Sequence, residues 1–319
     1  MKYLTSVRSW LLPFVILSLL LVISLTGSPS SAWAAHQTKQ TPAPVHVSNL
    51  ADRVDPFTGT GIQEGAPFGG GDTFPGADLP FGMVQWSPDT VSYVPGGYWY
   101  NDNRLRGFSL THLSGAGCSA YGDVPFMPYL GAVSDSPAAD PSRYIATFSH
   151  SNEQASAGYY AVTLDNGIKV ELSVTQRSGI GRFTYPRGQT ATMLVNVAGS
   201  ANGAFDAEVS IDPANRTISG WVSSGHFCGA SDVYRLYFWA SFSQPFASIG
   251  TWHNGAISTG SRSARGGSQV ASQVSAVQAA QAQLARGVQP SPALVQKARQ
   301  HPDVTVSGPG SGAFVTFDT

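Results

Sequence analysis

The sequence predicts an all-β protein, and three observations carry that reading. From residue 159 to 252, short segments of alternating polarity are separated by turn residues at intervals of about 8–12 positions, the pattern of a sandwich of antiparallel sheets. Only 12% of the 319 residues are charged, against 35 glycines and 11% aromatics, a balance suited to an exported β-protein with many turns. Proline at 67, 75, 80, 88, 95, 125 and 128 excludes long helices from residues 54–129.

The N-terminus reads as an export signal. Lys2 and Arg8 form a basic flank, residues 10–25 are almost wholly apolar, and small residues lead to Ala32, Trp33 and Ala34. These are the parts of a secretory signal peptide over 1–34, with cleavage expected after Ala34. The 16-residue apolar run contains Pro13 and is shorter than the roughly 20 residues that span a bilayer. A retained anchor is therefore the weaker alternative, no stable membrane span is expected after cleavage, and the protein is expected outside the cell. Residues 35–50 are polar and Pro-containing, a flexible leader, and 51–319 form the folded domain.

Within that domain, residues 54–129 are dense in Gly, Pro and rings and read as functional loops laid over a scaffold. Residues 160–164 alternate, Asp165, Asn166 and Gly167 supply a hairpin turn, and 168–174 alternate again. Further strands are expected at 182–185, 192–197, 208–211, 217–222, 234–242, 304–306 and 313–317. Residues 269–286 and 291–300, rich in Ala, Gln, Ser and Val, read as helices, so about 262–300 is a short helical insertion.

Charge and motifs narrow the chemistry. A net charge of −1 leaves no electrostatic footprint for nucleic acid. No G-x-S-x-G elbow, Walker loop, H-E-x-x-H or zinc-ligand array is present. His226 and Cys228 offer two metal-ligand types with no partner pair at suitable spacing, so a packed pair is the simpler reading. Cys118 and Cys228 are either a disulfide or two buried thiols. Acids at 55, 64, 72, 78, 89, 102, 123, 153 and 232 include no pair singled out by spacing, and Asp89 and Asp123 fit turn-fixing roles. Tyr98, Trp99 and Tyr100 follow two glycines and precede the polar run 101–103. A flat ring beside carboxylate and amide groups suits a sugar, although alternate residues of a strand would turn inward.

Longer motifs then become recognisable: VDPFTGT at 54–60, DTFPGA at 72–77, PFGMVQWSPD at 80–89, GYWY at 97–100, GFSLTHLSGAGC at 107–118, GDVPFMP at 122–128, FSHSNE at 148–153, GYY at 158–160, GWVSSGHFCG at 220–229 and GAFVTF at 312–317. In order and wording the chain resembles the N-terminal domain of glycoside hydrolase family 92. The resemblance implies a galactose-mutarotase-like β-sandwich (a supersandwich) from an exported, calcium-dependent, inverting exo-α-mannosidase. It implies that catalytic acid, catalytic base and calcium ligands lie in an (α/α)6 barrel whose motifs these 319 residues lack. No catalytic or metal role is thus carried onto any residue here, and the expected partners are the terminal mannose of α-mannosides or N-glycans and a separate barrel. An inverting site needs its two carboxyls about 6.5–9.5 Å apart, so the chain alone is expected to bind without catalysing. The expected subsite or interface residues are Trp99, Asp102, His112, Gly117, Cys118, His226 and Cys228, with Trp99 as a sugar platform and Asp102 as a hydroxyl acceptor. The alternatives are a stand-alone carbohydrate-binding module and a remnant without function.

Overall fold

Segments with one apolar edge must bury it, and here they do so in two antiparallel sheets that share one core. The computed structural model describes residues 49–61, 70–92, 94–115, 120–268, 283, 287–300 and 310–318, within the unit Ser48–Thr319. The strands are β1 (Ser87–Thr90), β2 (Arg104–Ser109), β3 (Phe126–Leu130), β4 (Ala146–Ser156), β5 (Tyr159–Leu164), β6 (Lys169–Val174), β7 (Gly179–Thr184) and β8 (Ala191–Val195). Then come β9 (Asp206–Asp212), β10 (Thr217–Gly225), β11 (Val233–Ser241), β12 (Ser248–His253), β13 (Ala256–Thr259), β14 (Ser263–Arg265) and β15 (Ser311–Phe317). The helix α1 (Pro292–Gln300) precedes β15, and the Ser291 hydroxyl caps it by accepting from the Leu294 amide.

The large sheet has 11 strands in the order β13-β12-β15-β8-β3-β2-β4-β5-β6-β7, with β1 also paired to β2. The small sheet runs β11-β10-β9-β14 and packs over β12 and β15. Val209, Ile211, Ile218 and Val222 from the small sheet meet Met193, Trp252, Phe314 and Val315 from the large one in a single core. Gly312 makes room for the Trp252 ring of its cross-strand partner in the same sheet, because a Cβ there would lie 2.0 Å from that ring.

The expected β5–β6 hairpin forms at its turn: the Asn166 side chain accepts from the Ile168 amide, and Gly167 takes φ +87°. β7 to β11 and β15 lie where alternation predicts them. Three strands fall inside the stretch read as loops. β1 is buried at all four positions, so it shows no alternation. β3 accommodates Pro128 because β2 pairs with it only at Phe108↔Phe126, leaving the proline's missing N–H without a ladder to break. β14 occupies the start of the expected insertion: Ser263–Arg265 pairs with β9, and Ser268 still bridges to Ala204. The strand expected at 304–306 and most of the helix expected at 269–286 lie outside the described residues.

Candidate functional site

The loops between β1 and β3 are held by buried carboxylates as well as by apolar side chains such as Tyr98, Trp99 and Val124. Asp89 in β1 accepts from the Ser109 amide (3.1 Å) and hydroxyl, and its other oxygen faces His112 Nε2 at 3.2 Å. His112 Nδ1 lies 2.9 Å from the Gln85 carbonyl oxygen, so both ring nitrogens of this buried side chain face acceptors. Gly97 is required beside it, since a Cβ there would sit 2.9 Å from His112 Cδ2 and φ is +82°. Asp123 is fully buried and accepts from Thr111 Oγ1 (2.8 Å), Tyr234 Oη (3.0 Å) and the Ser200 hydroxyl. Burial pushes its carboxyl up, against the pull of those hydrogen bonds. Left-handed backbone occurs at Tyr121 and Val124 in these loops, at Asp72 before β1, and at His226 and Cys228 between β10 and β11, all with φ between 51° and 62°, which for the β-branched Val124 is an outlier.

Two hollows open among these loops. The first, about 790 Å3, is lined by Asp55, Phe57, Thr60, Tyr100, Asn101 and the backbone of glycines 59, 61 and 71. Tyr100 is its exposed ring. It meets Phe57 edge-on (5.9 Å between centroids) and stacks on His150 at 4.0 Å. His150 Nδ1 faces Glu153 Oε2 at 2.8 Å, and Glu153 in turn accepts from the buried Tyr98 and Tyr160 hydroxyls. The second hollow, about 230 Å3, is lined by Leu113, Tyr121, Phe227, Asp232 and Tyr234, with Tyr121 and Tyr234 stacked at 5.2 Å. The 113–115 segment reaches both, for Leu113 lines the second hollow and the Gly115 amide donates to the Asp72 carbonyl beside the first.

The expected site residues divide between these places. Trp99 is 3% exposed, so Tyr100, not Trp99, is the ring of the 98–100 triplet that faces outward. The triplet is not a strand: Tyr98 and Trp99 are consecutive and both buried, with the Trp99 amide donating to Thr90 Oγ1. Asp102 is likewise turned in, accepting from the Ser92 amide and hydroxyl and from the Arg104 guanidinium. His112 is buried below the loops, whereas His226 is exposed, with Nδ1 2.7 Å from the Ala230 carbonyl. Cys228, beside Phe227 of the second hollow, is disulfide-bonded, which excludes a free thiol there. Gly117 and Cys118 lie outside the described residues. The lining residues that sequence reasoning did not single out are Phe57, Tyr121 and Tyr234, whose ring partners (Tyr100 for Phe57 and, for the stacked pair, each other) are distant in sequence.

Asp72 has a separate consequence. Its carboxyl is buried, Oδ1 has no hydrogen-bond partner, and burial pushes its pKa up to about 6. The folded state therefore holds this proton more tightly than the unfolded chain, and stability falls as pH rises from about 4 through 6. Asp72→Asn removes the buried charge and keeps a residue that tolerates φ 51°. It is expected to be more stable than wild type by about 1–2 kcal/mol at pH 7.5, half the full two-unit equivalent because the site borders solvent. Thermal melts across pH 4–8 check this: the gap should close at pH 4, and a pH-independent gap would refute the cause.

Residues 53–319 match the model described as the glycosyl hydrolase family 92 N-terminal domain. The chain belongs to glycoside hydrolase family 92. Among solved structures it is similar to a family 92 inverting mannosidase of Bacteroides thetaiotaomicron VPI-5482 (TM-score 0.61, 23% identity, 84% of this chain and 29% of that one). It is also similar to a family 92 α-mannosidase of Bacteroides thetaiotaomicron, in a complex with mannoimidazole (TM-score 0.60, 29% identity, 85% of this chain and 30% of that one). An "uncharacterized secreted glycosidase" of Arthroderma benhamiae is 31% identical over 157 residues, 45% of this chain and 20% of the relative. The family chain thus spans between about a fifth and a third of the length of these relatives. Its fold is the sandwich expected from its motifs. Among the described residues no helix is long and apolar enough to cross a membrane.

Proposed function

We propose that residues 53–319 form the sugar-contacting sandwich of an exported, inverting exo-α-mannosidase, exported through residues 1–34, with the catalytic acid and base supplied from outside 53–319. The observation that carries the reading is the pair of ring-lined hollows built by the family's loop motifs. Tyr100 and Phe57 offer apolar faces beside Asp55, Asn101 and Thr60, a match for a pyranose with its C–H face and hydroxyl rim. Its relative of 29% identity was solved with mannoimidazole, which supports mannose as the sugar. In this proposal the acid–base pair comes from elsewhere: Asp89, Asp102, Asp123 and Glu153 are buried and engaged by protein donors and Asp232 accepts from the Phe227 amide, whereas Asp55 lines the first hollow and the buried Asp72 keeps an oxygen without a partner. Among the described residues no group of three or more His, Cys, Asp or Glu side chains stands together to hold a metal. Calcium ligands belong, in this proposal, outside 53–319.

The test is to incubate the purified chain with an α-1,2-mannobiose and calcium, and separately to titrate it with mannoimidazole. Binding without mannose release is expected, and Tyr100→Ala should weaken binding roughly tenfold, the equivalent of about 1.4 kcal/mol of ring contact. Mannose release at an enzymic rate would overturn the placement of the acid and base. Failure of mannoimidazole to bind would overturn the sugar-contacting role.

A further inference from the structure

The small sheet has one face in the core and one in solvent, and the outer face has an unusual composition. Inward, β9, β10 and β11 present Val209, Ile211, Ile218, Val222 and Phe238, all buried. The outward registers carry almost no aliphatic side chain. Trp239 stands opposite Ser219, Tyr237 opposite Trp221, and Arg235 opposite Ser223. Tyr237 is 70% and Trp239 68% exposed, on an edge strand. Large apolar groups on a solvent-facing sheet mark an interaction site.

The arginines on this face are held by rings and polar partners, and Glu208 stands opposite Trp221 and Arg265 on the neighbouring strands. Arg235 lies over the Trp221 ring at 4.1 Å and its Nε donates to the Ser223 hydroxyl. Arg265 lies at 5.4 Å from the same ring and forms a paired contact with Asp206. Serines 210, 219, 241 and 263 fill other outward positions. Across the middle of the face Arg235 and Arg265 balance Asp206 and Glu208, which favours neither an acidic nor a basic partner, and with Val233 as its exposed aliphatic side chain and no Leu, Ile or Met it lacks the apolar centre of a stable protein interface. Flat rings two residues apart along β11, roughly 7 Å by strand geometry, among hydroxyls and tied guanidinium groups, fit a neutral chain of pyranose rings.

We infer that the outer face of β10 and β11 is a second carbohydrate-binding surface, in which Tyr237 and Trp239 stack against successive sugar rings of an extended neutral oligosaccharide. It does not depend on the reading of the Tyr100 hollow. The test titrates the full chain with α-1,6-mannotetraose and with cellotetraose, following tryptophan emission and calorimetric heat. At least one tetrasaccharide should bind, at least tenfold more tightly than its monosaccharide, and excess methyl α-mannoside should not compete. Tyr237→Ala and Trp239→Ala should each weaken binding at least tenfold while leaving the melting temperature unchanged, as both side chains are exposed. Binding unaffected by either variant, or no binding of either tetrasaccharide, would overturn the assignment. So would a concentration-dependent dimer of the wild type that Trp239→Ala abolishes, which would make the face a protein-docking surface.

Discussion

Asp123→Ala is expected to lower the melting temperature by on the order of 10 °C. Asp123 has no solvent exposure, and its two oxygens receive the hydroxyls of Thr111, Ser200 and Tyr234. Those donors come from the site loop, from the chain after β8, and from β11, so one carboxyl joins both sheets to the loops. Truncation leaves the donors facing a small void, and each buried unsatisfied group costs about 1–3 kcal/mol. A total of about 3–5 kcal/mol converts to that melting shift at roughly 2–4 °C per kcal/mol for a domain near this size. Asp123→Asn, which keeps the volume and one acceptor oxygen, should cost about half as much. Scanning calorimetry of the three proteins decides it: Ala and Asn variants melting within 2 °C of wild type would refute the network's role. Tyr234 also stacks on Tyr121 in the wall of the second hollow, so ligand contact there should weaken in the Ala variant alongside stability.

What the sequence disclosed follows from how each segment is buried. The β5–β6 hairpin was legible because both strands have one wet face and the Asp165-Asn166-Gly167 turn is chemically specific. β1 and β3 were not, because strands buried on both sides lose the alternation that marks a strand, and Pro88 and Pro128 argue against one. β4 was hidden by its bulge between Phe148 and Glu153, where a run of polar residues imitates a loop. Within the triplet 98–100 the outward ring was not legible: Tyr98 and Trp99 are both buried and Tyr100 faces out, and Thr90, which accepts from the Trp99 amide, lies nine residues away. Asp102 offered a free carboxylate on paper, and its neighbours Ser92 and Arg104 occupy it. The networks around Asp123 and Glu153 join residues as far as 111 and 55 positions apart, and no local pattern encodes them.

Glu153→Ala should destabilise the fold by about 3–5 kcal/mol and, unlike Asp123→Ala, should loosen the first hollow. Glu153 is 8% exposed and accepts from Tyr98 Oη at 2.8 and 2.9 Å and from Tyr160 Oη at 2.5 Å. Burial first, and then the Glu153 charge, push both phenols well above their usual range, so they remain donors wherever the protein is folded. Removing the acceptor strands two buried hydroxyls and opens a cavity. Adding Tyr160→Phe and Tyr98→Phe to the Ala variant should then recover part of the loss, because removing both partners of a buried hydrogen bond is far less damaging than removing one. His150 loses its Glu153 partner at the same time, and with it the fixed plane on which Tyr100 stacks at 4.0 Å. The triple variant therefore separates the two effects. Stability should return towards wild type while mannoimidazole affinity stays reduced, since nothing in the phenylalanines restores His150. Recovery of both together would mean that Glu153 acts on the hollow only through global stability, and recovery of neither would mean that the tyrosine hydroxyls are not what Glu153 satisfies.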